Sequence, residues 1–219
     1  MNYEEIYDEG YFNGKRSFFD FSGYRNSGYY KRYFANEYFQ VKEYVNRAGG
    51  RVLDVGCAYG FLLEQFPSSF EKYGIDVSGH AVSVAKKRMP EGKFYRVGAE
   101  DLKPGSLFPT DFFDVIVFNN VIEHLMNPKK SLRNIFSLLK KGGLLYLTAP
   151  NLNIIRKILF YFPDKMEYHI SLMSFPEMNT LLSTTGYRVL QKWTCINLIK
   201  YLKFSNNLGI DMGFICERP

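Results

Sequence analysis

RVLDVGCAYGFLL, residues 51–63, decides the fold. An apolar run ends in an acid, Asp54. Two glycines four apart, Gly56 and Gly60, follow, and then apolar residues resume. A short apolar run bounded by glycine reads as a buried strand. Glycine just past such a strand marks a tight turn, or a backbone that a ligand approaches closely.

Working outward, strands and helices alternate. Residues 51–55 read as the first strand, and 61–66 as a short helix closed by Pro67. Residues 72–77 are the second strand. Ser78 caps a helix carrying Ala81, Val82, Val84 and Ala85. Strands follow at 93–97 and at 114–118 (DVIVF), the latter almost wholly apolar, as expected when both faces are covered. Asn127-Pro128 starts a helix that runs to Leu139, with Lys140 and Lys141 at its negative end and Gly142-Gly143 to stop it. A fifth strand covers 144–148. Ser174 to Glu177 has the form of a capping box, and Gly186 ends the helix it opens. Residues 187–194 and 210–217 read as a closing hairpin. The pattern is α/β: a doubly wound, mostly parallel sheet, Rossmann-like, with helices on both faces.

Two domain-level units are expected. Residues 1–48 form an aromatic-rich arm, which holds 15 of the 38 aromatic residues within its first 45 positions. Tyr30, Phe34, Tyr38, Val41 and Val45 give a helical period over 29–48. The arm covers the core, the ligand site, or both. Residues 49–219 form the main domain, interrupted at about 150–173 by an insertion with an apolar helix near 154–162.

Bulk properties exclude several classes. Three cysteines (Cys57, Cys195, Cys216) with no C-x-x-C pair make neither a disulfide framework nor a zinc knuckle. The start, MNYEEIYDEG, lacks the apolar segment of a secretory signal. Apolar stretches are short and broken by charge, so no membrane span is expected and a reducing, cytoplasmic setting is the default. The net charge of +6 permits an anionic partner such as nucleic acid without requiring one.

In open α/β sheets ligands bind at the carboxyl ends of the strands. That rim holds residues 54–60, Asp76, 98–100, 119–124 and 150–151. No phosphate-cradling G-x-x-x-x-G-K-[ST] string occurs. The turn carries Ala58 where a dinucleotide fold has its middle glycine, and Asp54 puts negative charge near a pyrophosphate. Both features weigh against NAD or FAD. S-adenosylmethionine instead brings a sulfonium and an amino group, and an acid beside the turn suits it. Asp76 stands 22 positions after Asp54, at the end of the second strand, where a carboxylate can accept from ribose hydroxyls.

VLDVGCAYG, YGIDVS, GAEDL, FDVIVFNNVIEHLMNP and LLKKGGLLYLTAPN, in this order, resemble the successive motifs of class I S-adenosylmethionine-dependent methyltransferases. The likeness covers roughly residues 45–195 and is greatest to the small-molecule branch typified by quinone-biosynthesis methyltransferases. It implies a seven-stranded sheet with its last strand antiparallel. It implies that Asp54, Gly56, Cys57 and Gly60 wrap the methionine part of the cofactor, that Asp76 holds the ribose, and that Val77 lies on the adenine. Ala99 and Glu100 would edge the adenine, and Asn119 would face the cofactor. Many relatives carry Asp where this chain has Gly98; Glu100 or a backbone carbonyl would then replace that contact.

Methyl transfer is an in-line displacement, and a base is needed only for an acceptor that must lose a proton. His124 and His169 are the candidate catalytic residues. His124 either starts a helix or serves as a base beside the methyl group; His169 resembles a substrate-side histidine of some relatives. Tyr11, Tyr29 and Tyr30 are candidate acceptor contacts, because aromatic faces favour a sulfonium and flat molecules. No metal-ligand spacing occurs on any one element, so no metal is expected. The leading expectation is methyl transfer to a small-molecule O, N or C acceptor. The alternatives are an RNA methyltransferase and a non-catalytic cofactor-binding protein of the same fold.

Overall fold

A computed structural model describes residues 6–14, 24, 27–45, 49–196 and 203–219. The remaining parts of the expected arm, and the end of its helix at 46–48, lie outside the described residues.

Eight strands form one sheet: β1 (Gly50–Val55), β2 (Phe70–Asp76), β3 (Lys93–Arg96), β4 (Phe113–Asn119), β5 (Leu139–Pro150), β6 (Arg188–Cys195), β7 (Lys203–Phe204) and β8 (Asp211–Glu217). Their order is β3-β2-β1-β4-β5-β8-β6-β7. The first five pair in parallel. β8 is antiparallel to β5 and β6, so the expected closing hairpin is present at one edge. The eighth strand departs from the seven expected: β7 adds two residues to β6, too short to leave a sequence period.

The sheet separates two apolar layers. Helices Pro128–Leu138 and Phe175–Thr185 bring Leu132, Ile135, Leu138, Met178 and Leu182 to one face. Val82 and Ala85 of helix Gly79–Arg88, with Val41, Val45 and Phe66, cover the other. Residues 113–118 of β4 are buried throughout, as its run, apolar but for Asp114, leads one to expect. Ser78, Asn127 and the Ser174–Glu177 box cap their helices as expected.

Several boundaries differ from expectation, and the short helix expected at 61–66 is only a 3-10 turn, Leu63–Gln65. The helix from Pro128 ends at Leu138, and Leu139 is already extended, so Gly142-Gly143 do not stop it. They belong to β5, where Gly142 takes a left-handed φ of 68° and donates to the Arg218 carbonyl, while Arg218 donates back to Gly143. Pairing with the chain's C-terminal end outweighs the local helix-stop signal. The helix of the N-terminal segment covers Ser27–Val41 and stops before Val45, which is buried beyond a turn. Residues 154–166 form two short helices, Ile154–Leu159 and Tyr161–Met166, in place of one.

The chain reverses its winding between β1 and β4, where ligands of such sheets sit. Asp54, one residue before the end of β1, and Asp76, Asn119 and Pro150, which end β2, β4 and β5, lie along this rim.

Candidate active site

One cavity of about 840 Å³ opens above these strand ends. Its floor is the turn after β1. Gly56 and Cys57 both donate to the Ile75 carbonyl, at 2.8 and 2.9 Å, which binds the turn to β2. Gly56 has φ 77°, and a Cβ built there would stand 2.3 Å from Val121 Cγ2, so only glycine lets the two loops meet. Asp76 Oδ2 accepts from the Ala58 amide and Oδ1 from the Ser78 amide, both at 2.9 Å. A carboxylate has about four acceptor sites, so both oxygens retain capacity for hydroxyl donors.

Asp54 is 3% exposed. Burial, and then the neighbouring charge of Asp76, push its carboxyl up to about 8. A buried acid facing a second acid is a conflict that a cationic ligand resolves. Asp76 is itself held above the usual range by burial, opposed by its backbone hydrogen bonds.

Val77, Ala99, Glu100 and Asn119 line the cavity with Asp54, Gly56, Cys57 and Asp76. Of the four residues expected to wrap the methionine part, Asp54, Gly56, Cys57 and Gly60, only Gly60 does not line the cavity. It has φ 79°, and its Cα faces Phe94 and Ala85, away from the cavity. Its part is to shape the turn, because the strand–turn–helix geometry points it into the protein. Glu100 Oε1 accepts from the Asn127 amide at 2.7 Å and so helps fix the start of the next helix. Asp101, which the sequence reading passed over, also lines the cavity. Its Oδ2 lies 3.1 Å from where a Gly98 Cβ would be, so a carboxylate stands there despite the glycine.

Aromatic residues close the other side. Tyr7, Tyr11, Phe12, Tyr24, Tyr29 and Tyr30 all face the cavity. Phe12 stacks on Tyr59, centroids 5.2 Å apart, and packs with Ala58 and Ala81 over the glycine turn. Tyr24 stacks on Tyr30 at 4.4 Å. Burial raises the Tyr11 hydroxyl above its ordinary range and pushes Tyr30 up to about 12. These phenols stay neutral. The helix Ser27–Val41 is tied to the strand ends by Glu37, which accepts from the Tyr146 hydroxyl at 2.7 Å and from the Asn119 amide at 3.4 Å. The segment therefore both covers the core and walls the cavity.

His124 and His169 meet on the remaining wall, ring centroids 4.9 Å apart, beside Glu123. His169 Nδ1 donates to Asp164 Oδ1 at 2.8 Å, and His124 Nδ1 donates to the Tyr168 carbonyl at 3.4 Å. Arg156, 5% exposed, holds Asp164 through Nε at 3.1 Å and Nη2 at 2.6 Å, and reaches Asp211 at 3.4 Å. Burial alone would raise Asp164, but His169 and Arg156 outweigh it and hold the carboxyl below its usual range. Burial pushes Glu123 up to about 7 and, with His169, pushes His124 down to about 3. Sequence reasoning found both histidines but not their neighbours Glu123, Asp164 and Arg156, which no shared period connects.

Among the described residues no helix is long and apolar enough to cross a membrane. The methyltransferase domain family matches residues 29–192. The chain is 38% identical over 112 residues to a ubiquinone biosynthesis O-methyltransferase of Xanthomonas euvesicatoria, covering 48% of this chain and 44% of that protein. It is 32% identical over 109 residues to the protein of the same name from Glaesserella parasuis, covering 47% and 46%. The chain thus spans about half the length of the curated relatives it matches. A solved SAM-dependent methyltransferase from Archaeoglobus fulgidus superposes with a TM-score of 0.67 at 18% identity, over 85% of this chain and 94% of that one.

Proposed function

This chain belongs to the methyltransferase domain family, with S-adenosylmethionine as its cofactor, and we propose that it methylates a hydroxyl oxygen of a small, aromatic-faced acceptor. The observation that carries the reading is a single cavity with two unlike ends. One end has two buried acids above a glycine turn; the other has an acid–imidazole cluster among tyrosines.

The residues at the first end fit the cofactor. Asp54, whose carboxyl has no cation to offset its burial, accepts the ligand's amino group and faces its sulfonium. Gly56 and Cys57 pass close enough for backbone contact with the methionine part. Asp76 accepts from the ribose hydroxyls, Val77 and Ala99 flank the adenine, and Asn119 bounds the site from β4. Asp101, standing where Gly98 leaves room, takes the adenine amino group, while Glu100 orders the loop. When bound, the cofactor supplies an electrophilic methyl group on sulfur. The protein's part is to align the acceptor behind that methyl, exclude water and accept the proton a hydroxyl must lose.

A hydroxyl acceptor is favoured because the second end supplies groups for that proton. An amine or thiolate needs none. Tyr11, Tyr29 and Tyr30 offer faces to a flat acceptor, and helices Ile154–Leu159 and Tyr161–Met166 supply the opposite wall through Arg156, Phe160 and Pro163. The division into an arm over residues 1–48 and a main domain with an insertion at about 150–173 accords with this partition of the cavity. A cytoplasmic, reducing setting accords with three free cysteines, two of them buried.

The test is turnover of S-adenosylmethionine against panels of phenols, amines and thiols, read by mass spectrometry. Methylated phenol with matching S-adenosylhomocysteine is expected. Methylation confined to amines or thiols would refute the hydroxyl assignment. Cofactor binding without any turnover would favour a non-catalytic protein.

A further inference from the structure

We infer that Glu123, His124 and His169 hold one divalent transition-metal ion beside the acceptor position. The metal inference deepens the hydroxyl reading above and rests on it only for the ion's chemical use, not for its binding.

The donor set comes first. Each of the three residues offers one ligand atom, and these atoms lie within 4.8 Å of one another. Bonds of about 2.1 Å bring ligand atoms to roughly 3–4 Å apart, so small side-chain rotations close the set. Two imidazoles and one carboxylate suit ions of the zinc, iron and manganese class and leave positions open for substrate oxygen.

The orientation of the rings is the second observation. A carbonyl can only accept, and the Asp164 carboxylate, paired with Arg156 Nη2 at 2.6 Å, accepts as well. The hydrogen bonds to Tyr168 and Asp164 therefore place a proton on Nδ1 of each ring. On a neutral His169 this leaves the lone pair on Nε2, and His124 Nε2 stands 3.9 Å from Glu123 Oε1. An acid or carbonyl behind a ligand histidine is the usual way to fix tautomer and ring angle. The His169 side chain is 6% exposed and is held from behind by a carboxylate that is itself held by a buried arginine.

The third observation is Glu123. It is 2% exposed, and its Oε2 has no hydrogen-bond partner among the described residues. Arg156, the buried arginine of this wall, is already bonded to Asp164 and Asp211. A buried acceptor oxygen without a donor costs about 1–3 kcal/mol, and a dication in its path removes that cost. Glu167 Oε2, 3.6 Å from His169 Nε2, is placed to add a fourth donor.

The cluster lines the same cavity as the glycine turn. With an ion bound, the three side chains would act through it rather than as the base themselves: an acceptor hydroxyl on the ion would lose its proton to water more readily. Its oxygen then forms the O–CH3 bond as the S–CH3 bond breaks, leaving a methyl ether and S-adenosylhomocysteine. Sequence spacing did not show the site, because His169 lies 45 positions beyond His124 and on a different element.

The test needs no turnover. The full chain is stripped with chelator, dialysed against Zn2+ or Mn2+ and assayed for bound metal, with S-adenosylhomocysteine binding measured on every sample. One ion per chain is expected. H124A, H169A and E123Q should each weaken it at least about tenfold, and D164N by about 10–100-fold through ring orientation, with S-adenosylhomocysteine affinity retained. H80A should leave metal binding unchanged; His80 pairs with the Tyr59 hydroxyl outside the cluster. No retained metal, or equal binding by the H124A/H169A double variant, would overturn the inference. Loss of S-adenosylhomocysteine binding by the unaltered chain would instead overturn the cofactor reading and leave the metal result standing.

Discussion

The two ends of the cavity are built from different material. The cofactor end is made of strand termini and the turns that leave them, held by backbone hydrogen bonds such as those from Gly56 and Cys57 to Ile75. The end proposed for the acceptor is made of side chains carried by short helices and by the N-terminal segment, held by ion pairs and ring contacts such as Arg156–Asp164 and His124–His169. A backbone-built site tolerates little change without losing its ligand. A side-chain-built site can be recut for a new acceptor while the sheet beneath stays the same. Substitutions at the first end should therefore change cofactor affinity, and those at the second should change turnover while cofactor affinity holds.

The largest effect is expected at Asp76. Asp76→Ala removes two hydroxyl acceptors and unpairs the Ala58 and Ser78 amides, so S-adenosylhomocysteine should bind at least about 100-fold more weakly by calorimetry. Near-normal affinity would show that the ribose lies elsewhere. Gly56→Ala comes next. It forces a side chain against Val121 at a left-handed backbone, and should lower stability by about 1–3 kcal/mol in chemical denaturation and affinity about tenfold.

Asp54→Asn should separate stability from binding. The folded protein holds this acid protonated to about pH 8, against an ordinary carboxylate value near 4. The unfolded chain therefore releases the proton first as pH rises. Asp54 costs no stability below about pH 4, costs progressively more up to pH 8, and changes nothing beyond. The variant should match the parent at low pH, exceed it by roughly 1–3 kcal/mol at pH 8, and bind S-adenosylhomocysteine more weakly. Equal pH–stability curves would contradict this assignment.

Smaller effects should draw the boundary between the ends. Asp101→Ala should weaken the cofactor by about two- to tenfold, the scale of one hydrogen bond. Tyr29→Leu, at a site 47% exposed, should raise the acceptor KM about two- to fivefold and leave the S-adenosylhomocysteine Kd unaltered. A Tyr29 variant that loses cofactor affinity would merge the two ends into one.

The same contrast explains what the sequence disclosed. Strand ends follow from apolar runs and glycines a few residues apart, so Asp54, Gly56, Asp76 and Asn119 could be placed on one rim before any fold was known. Local signals misled where long-range pairing prevailed. Gly142-Gly143 has the look of a helix stop, yet it joins β5 to the chain's last residues. Gly98 suggested a missing acid, while the acid came from Asp101, three positions on. At the acceptor end His124 and His169 were visible as residue types. Their meeting with Glu123, Asp164 and Arg156 depends on how residues 154–170 fold back, and no period records that.

The most direct measurement is the proton balance of S-adenosylhomocysteine binding at pH 7, from calorimetry in buffers of differing ionisation enthalpy. Asp54 begins protonated, and the ligand's ammonium stabilises its carboxylate. Binding should release close to one proton per chain, and Asp54→Asn should abolish the release. Binding with no proton release, or release unchanged in the variant, would contradict the claim that this buried acid exists to receive a cation.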